Sequence, residues 1–145
     1  MREKKGTIMK PFELTANLQT GIDEIDNQHR KLLSWANFIA FDDADATDQK
    51  VTEALGNLLD YVSYHFRTEE EAMDRYDYDK VDKHKKQHHR LANEVTGLFS
   101  RSKGKEAAEG TLAELQYLFT DWIKLHIMEW DQPFATFLKS KNIQL

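Results

Sequence analysis

Apolar side chains recur through the middle of this chain at three- and four-residue intervals, the spacing of amphipathic helices rather than of strands. The first stripe carries Ile25, His29, Leu32, Leu33 and Ala36 and predicts a helix over about 22–40. The acidic segment from Phe41 to Asp48 reads as a loop, with Thr47 or Asp48 as the cap of the next helix. That second helix is expected over 49–75, on Leu55, Leu58, Leu59, Val62, Phe66 and Met73. Tyr76-Asp77-Tyr78-Asp79 reads as a turn, with Asp79 capping a third helix over 79–100. A loop from Arg101 to Lys105 then leads to a fourth helix over 107–130, on Leu112, Leu115, Leu118, Phe119, Trp122 and Ile123. Long helices with short connections favour an all-α, antiparallel up-down four-helix bundle. Residues 1–20 read as an N-terminal arm, 132–145 as a short C-terminal segment, and 1–145 as a single domain.

Composition narrows the chemistry. A chain of 145 residues, 40% hydrophobic and 31% charged, has the make-up of a globular protein with a real core. Its net charge of −5 argues against a nucleic-acid partner. The run Lys80, Lys83, Lys85, Lys86 and Arg90 reads as the solvated outer face of the third helix. The absence of cysteine excludes disulfides, thiolate nucleophiles, iron–sulfur ligation and the cysteine zinc sites. Met1 to Phe12 is charged and lacks a secretory apolar core, and no segment approaches the roughly 20 apolar residues of a membrane span. The expectation is a cytoplasmic protein without membrane insertion.

Five of the six histidines fall, with two carboxylates, into one candidate ligand set: His29; His65 and Glu69; His84 and His88; His126 and Asp131. An i,i+4 step brings two side chains to nearly the same face of a helix. His65 with Glu69, and His84 with His88, therefore both project inward. Imidazole nitrogen suits iron, copper, nickel or zinc, and carboxylate oxygen adds negative charge and bridges ions. Each pair alone is weak evidence, because HxxxE or HxxxH on a helix is more often surface or core. The strength lies in one ligand group on every helix. His126 to Asp131 is the odd step: at i+5 the two stand about 140° apart on a regular helix. A distortion or a terminus is expected between Met128 and Pro133, with Pro133 a candidate to end the helix. His89, turned away from His88, is expected to face solvent and not to ligate.

Four stretches resemble the bacteriohemerythrin family: Gly21-Ile22-Asp23-Glu24-Ile25-Asp26-Asn27-Gln28-His29, His65-Phe66-Arg67-Thr68-Glu69-Glu70-Glu71-Ala72-Met73, His84-Lys85-Lys86-Gln87-His88 and Trp122-Ile123-Lys124-Leu125-His126-Ile127-Met128-Glu129-Trp130-Asp131. The resemblance implies a non-haem di-iron centre in a four-helix bundle. One iron would take His84, His88 and His126, and the other His29 and His65. Glu69, Asp131 and a solvent-derived oxo or hydroxo group would bridge the two. One coordination position would remain open, on the His29/His65 iron, for dioxygen. By family position Phe66, Trp122, Ile123 and Ile127 would line the oxygen pocket, with Met73 packed nearby and Glu70 and Glu71 behind the ligands or at the surface. Phe12 stands where the family usually has tryptophan, Asp77 where proline is common, and eight residues precede Met9.

The function implied is reversible dioxygen binding for storage, transport or delivery to an oxygen-consuming enzyme, by a monomer and without catalysis. The alternatives are an oxygen or nitric oxide sensor, and a di-iron redox enzyme acting on peroxide or nitric oxide. The enzyme would call for a proton donor or redox-active side chain near the open position, for which Tyr61, Tyr64, Tyr76, Tyr78 and Tyr117 are the tyrosines to place. Iron buffering would not need an enclosed pocket. A single-zinc hydrolase is disfavoured, because His-Glu-x-x-His is absent and seven ligands exceed one zinc's needs.

Overall fold

A computed structural model of the chain describes residues 12–38, 48–101, 114, 117, 118, 121 and 123–145. Helix α1 spans Asp23–Asn37, α2 Asp48–Arg75 and α3 Val81–Arg101. A short α4 (Ile123–His126) passes through a π-helical stretch (Ile127–Asp131) into α5 (Gln132–Ser140). The packed helices form an all-α four-helix bundle, and no strand occurs among the described residues. Residues 1–11 of the arm, the acidic loop 41–47, the loop residues 102–105, and Leu112, Leu115, Phe119 and Trp122 lie outside the described residues.

The entry to α1 is fixed from inside the helix. Ile22 at the cap position has no side-chain acceptor. The buried Asp26 carboxylate reaches back instead, accepting from the Thr20 backbone N–H and hydroxyl (both 2.8 Å) and from the Gly21 N–H (3.1 Å). Gly21 takes φ 86, a backbone conformation that calls for glycine. Lys139 Nζ donates to the Thr20 carbonyl at 2.7 Å, tying this turn to α5. The arm is held further along, where Phe12 exchanges two hydrogen bonds with the Asn37 side chain and Gln132 Nε2 donates to the Asn17 carbonyl. These anchors set the phase of α1, and with it the direction of His29.

Two helix ends share one device. After α2, Asp77 is left-handed at φ 56 and Tyr78 N–H donates back to the Met73 carbonyl. After α5, Asn142 is left-handed at φ 57 and Ile143 N–H donates back to the Leu138 carbonyl. Both are Schellman closures, whose apolar residue folds onto the helix just completed. The family's proline cannot occupy position 77 in this conformation, since its ring holds φ near −65°.

The core is two apolar clusters with a polar layer between them. One contains Leu32, Leu33, Leu55, Leu58, Val62, Phe66, Leu91, Val95, Ile123 and Ile127. The other contains Ile22, Ile25, Ala72, Met73, Tyr78, Phe134, Ala135 and Leu138. Along α1, α2 and the π stretch the ligand-type residues fall where the chain crosses from one cluster to the other.

Of the two outcomes expected between Met128 and Pro133, a distortion or a terminus, the structure shows the distortion, and Pro133 does not end the helix. The chain loosens into π geometry over Ile127–Asp131 and then continues as α5 to Ser140. Pro133 sits in the first turn of α5. There its missing N–H and fixed φ cost little, because the preceding turn has already left the i to i+4 pattern.

Candidate metal centre

The polar layer gathers seven buried side chains: His29 from α1, His65 and Glu69 from α2, His84 and His88 from α3, His126 from α4 and Asp131 from the π stretch. Their ligand atoms form two overlapping groups, each within 4.8 Å. One is Glu69, His84, His88, His126 and Asp131; the other is His29, His65, Glu69 and Asp131. The carboxylates belong to both.

Each carboxylate divides its oxygens between the groups. Asp131 Oδ1 lies 2.9 Å from His84 Nε2 and 3.2 Å from His126 Nε2, while Oδ2 lies 2.9 Å from His29 Nε2. Glu69 Oε1 lies 3.1 Å from His88 Nε2 and 3.6 Å from His84 Nε2, while Oε2 lies 3.5 Å from His65 Nε2. The π stretch brings Asp131 into this arrangement. Hydrogen bonding from residue i to i+5, seen where Gln132 N–H donates to the Ile127 carbonyl, widens the turn until residues five apart share a face. The awkward step from His126 to Asp131 is thereby resolved without a helix terminus.

The electrostatics are those of a site short of positive charge. Burial pushes the Glu69 carboxyl well above the usual carboxylate range, and the neighbouring Asp131 charge adds to this. Burial acts on Asp131 in the same sense but is overcome: the His126 charge, and hydrogen bonds from His126, His29 and His84, hold it well below that range. Burial holds His65 well below the ordinary imidazole value, reinforced by His29. For His29 burial is outweighed by the hydrogen bond to Asp131 and its charge, and the value is raised. Both Glu69 oxygens, His65 Nε2 and His88 Nε2 are buried without a hydrogen-bond partner in the protein. Such atoms are costly in an apolar core unless something pairs with them. Divalent cations fit, because the donors are imidazole nitrogen and carboxylate oxygen.

Two further side chains orient the rings. His65 Nδ1 lies 2.7 Å from Gln28 Oε1, and Gln28 Nε2 donates to Glu24 Oε2 at 2.7 Å. His88 Nδ1 lies 2.7 Å from Glu70 Oε2. Amide and carboxylate oxygens only accept, so Nδ1 carries the proton in both rings and Nε2 keeps a lone pair toward the centre. Sequence reasoning placed Gln28 inside a matching stretch without giving it a role. The available signal was its position one residue before a candidate ligand on the same helix.

Of the expected pocket residues, Phe66, Ile123 and Ile127 are buried in the apolar cluster beside the site, and Trp122 lies outside the described residues. The Phe66 ring stacks on His88 at 3.9 Å and an interplanar angle of 6°, and lies 5.8 Å from His65. Met73 belongs to the other cluster. His89 is exposed, as is Glu71. Tyr64 and Tyr117 are exposed, Tyr61 and Tyr76 half-buried, and Tyr78 buried against Phe134. Among the described residues no tyrosine hydroxyl is hydrogen-bonded to the seven, and no helix is long and apolar enough to cross a membrane.

Comparison with known proteins agrees with this layout. The family model described as the Hemerythrin HHE cation binding domain matches residues 20–138. The Bacteriohemerythrin of Stenotrophomonas maltophilia (strain R551-3) is 30% identical over 124 residues, covering 86% of this chain and 79% of that protein. The Bacteriohemerythrin of Clostridium acetobutylicum is 29% identical over 120 residues, covering 80% of this chain and 92% of that protein. A Hemerythrin-like protein of Naegleria gruberi is 27% identical over 128 residues, covering 88% and 94%. A chain whose helices carry this ligand pattern, and whose residues 20–138 match that domain, belongs to the hemerythrin family.

Proposed function

We propose that this protein holds two iron ions on the seven residues and binds dioxygen reversibly as a non-enzymatic carrier or store. His84, His88 and His126 would hold one ion, and His29 and His65 the other. Glu69 and Asp131 would be shared between the two ions. The observation that carries this reading is the division of each carboxylate's oxygens between the two histidine groups. When bound, such a pair would supply the electrons that dioxygen takes up on binding and returns on release.

The protein's own part is to orient and to exclude water. Gln28 and Glu70 fix the faces of His65 and His88. Phe66, Ile123 and Ile127 close the apolar side, with Trp122 assigned there by family position, and a dry wall protects bound oxygen from exchange with water. A cleft of about 140 Å³ between Gln87, Arg90, Leu125, Glu129 and Trp130 reaches His126 from the surface and offers a route for loading. All seven residues come from one chain, which favours a monomer. Delivery to an oxygen-consuming enzyme in the cytoplasm is the role we assign.

Protein loaded anaerobically with ferrous iron is expected to hold two irons per chain. Under air it should gain a visible charge-transfer band that fades under argon over repeated cycles. Rapid, irreversible conversion to the ferric state would defeat the carrier reading and favour a redox enzyme or a sensor.

A further inference from the structure

Each histidine group contains one ring whose outer nitrogen is held by another side chain, and the two holders differ in charge. In the two-histidine group, His65 Nδ1–H donates to the neutral Gln28 amide, which is 2% exposed. Gln28 cannot turn over, because its amide nitrogen is held 2.7 Å from the Glu24 carboxylate, which only accepts. In the three-histidine group, His88 Nδ1–H donates to the Glu70 carboxylate, whose side chain is 30% exposed. The outer Nδ1 atoms of His29 and His84 have no hydrogen-bond partner in the protein. His65 is thus locked by an amide and His88 by an anion.

We infer that Gln28, backed by Glu24, and Glu70 are positioning residues that make the two metal positions unequal. A carboxylate behind an imidazole raises the basicity of the opposite nitrogen, and such partners commonly shift metal affinity by about 10–100-fold. A neutral amide orients its ring without adding charge. The three-histidine position accordingly fills first and holds its ion more tightly, both because it has one more imidazole and because Glu70 stands behind His88. Charge and orientation separate in the Glu70→Gln variant, which keeps an acceptor for Nδ1–H but loses the charge. The inference rests on the two-metal reading.

Cobalt(II) titration of metal-stripped protein, with ¹⁵N detection of the imidazole rings, tests it. Before cobalt is added, the rings of His65 and His88 should show Nδ1–H tautomers. The first equivalent should shift the rings of His84, His88 and His126, and the second those of His29 and His65. Glu70→Leu should lose the His88 tautomer and weaken the first step by about 10–100-fold, leaving the second unchanged. Glu70→Gln should restore the tautomer while recovering only part of the affinity, which a purely structural role would not produce. Gln28→Leu should act on the second step alone. Unchanged tautomers in both leucine variants, or equal losses at both steps in either, would overturn the inference while leaving the metal pair standing. A wild-type chain that takes up no cobalt would overturn the metal reading itself, and the inference with it.

Discussion

Asp131→Ala is expected to reduce iron uptake from two ions per chain to one or none. Asp131 Oδ1 faces His84 and His126 while Oδ2 faces His29, so one side chain connects groups drawn from three other segments. Its removal leaves Glu69 as the sole carboxylate shared by the two groups. A second ion would then lose one of its two anionic donors, and with it half of the carboxylate charge that offsets its burial. Iron per chain, measured after anaerobic loading and desalting, decides the matter, with a thermal melt confirming that the variant is folded. Retention of two irons would contradict the bridging assignment. His89→Ala is the control, since that ring is exposed and should leave iron content unchanged.

The largest expected loss of stability comes from Phe134→Ala. Phe134 is fully buried, packs against Tyr78 at 4.9 Å between ring centroids and stands 6.2 Å from the His84 ring. Truncating a buried phenylalanine costs about 3–5 kcal/mol, through lost transfer energy and the cavity left behind. For a chain of this size that corresponds to a fall in melting temperature on the order of 10 °C. A fall of only a degree or two would mean that α5 is not part of the cooperative core. The same cavity lies beneath the polar layer, so metal affinity should fall along with stability.

The site was more legible in the sequence than the helix that completes it. The i,i+4 spacing of His65 with Glu69 and of His84 with His88 states directly that each pair shares a face, and the structure brings all seven side chains together. Periodicity also located α1, α2 and α3, because their stripes are long and regular. Between Met128 and Pro133 the reading left a distortion and a terminus both open, for a physical reason. Pro133 ends a helix when it falls in the interior, but it is tolerated in the first turn, and sequence alone does not say where a new first turn begins. Gln28 was illegible as a ring holder, and Glu70 was legible only as a group behind the ligands or at the surface, because their roles depend on contacts between helices, 37 and 18 residues apart in sequence. A hydrogen bond of that separation leaves no periodic trace.

The π stretch also makes the chain one residue longer than its span requires. An extra residue taken up in this way leaves every later side chain of the helix facing as before, so the segment tolerates a change in length that regular helix does not. Deleting Met128, which is 45% exposed, should return Ile127–Asp131 to α geometry with His126 and Asp131 four apart and still on one face. Deleting the exposed Lys86 from α3 should turn His88, Leu91 and Val95 by about 100° and scatter the site. The first variant is expected to keep its iron pair and the second to lose it, and the reverse result would show the π turn to be indispensable. In that sense the irregular turn is a place where the chain can carry one residue more without losing register.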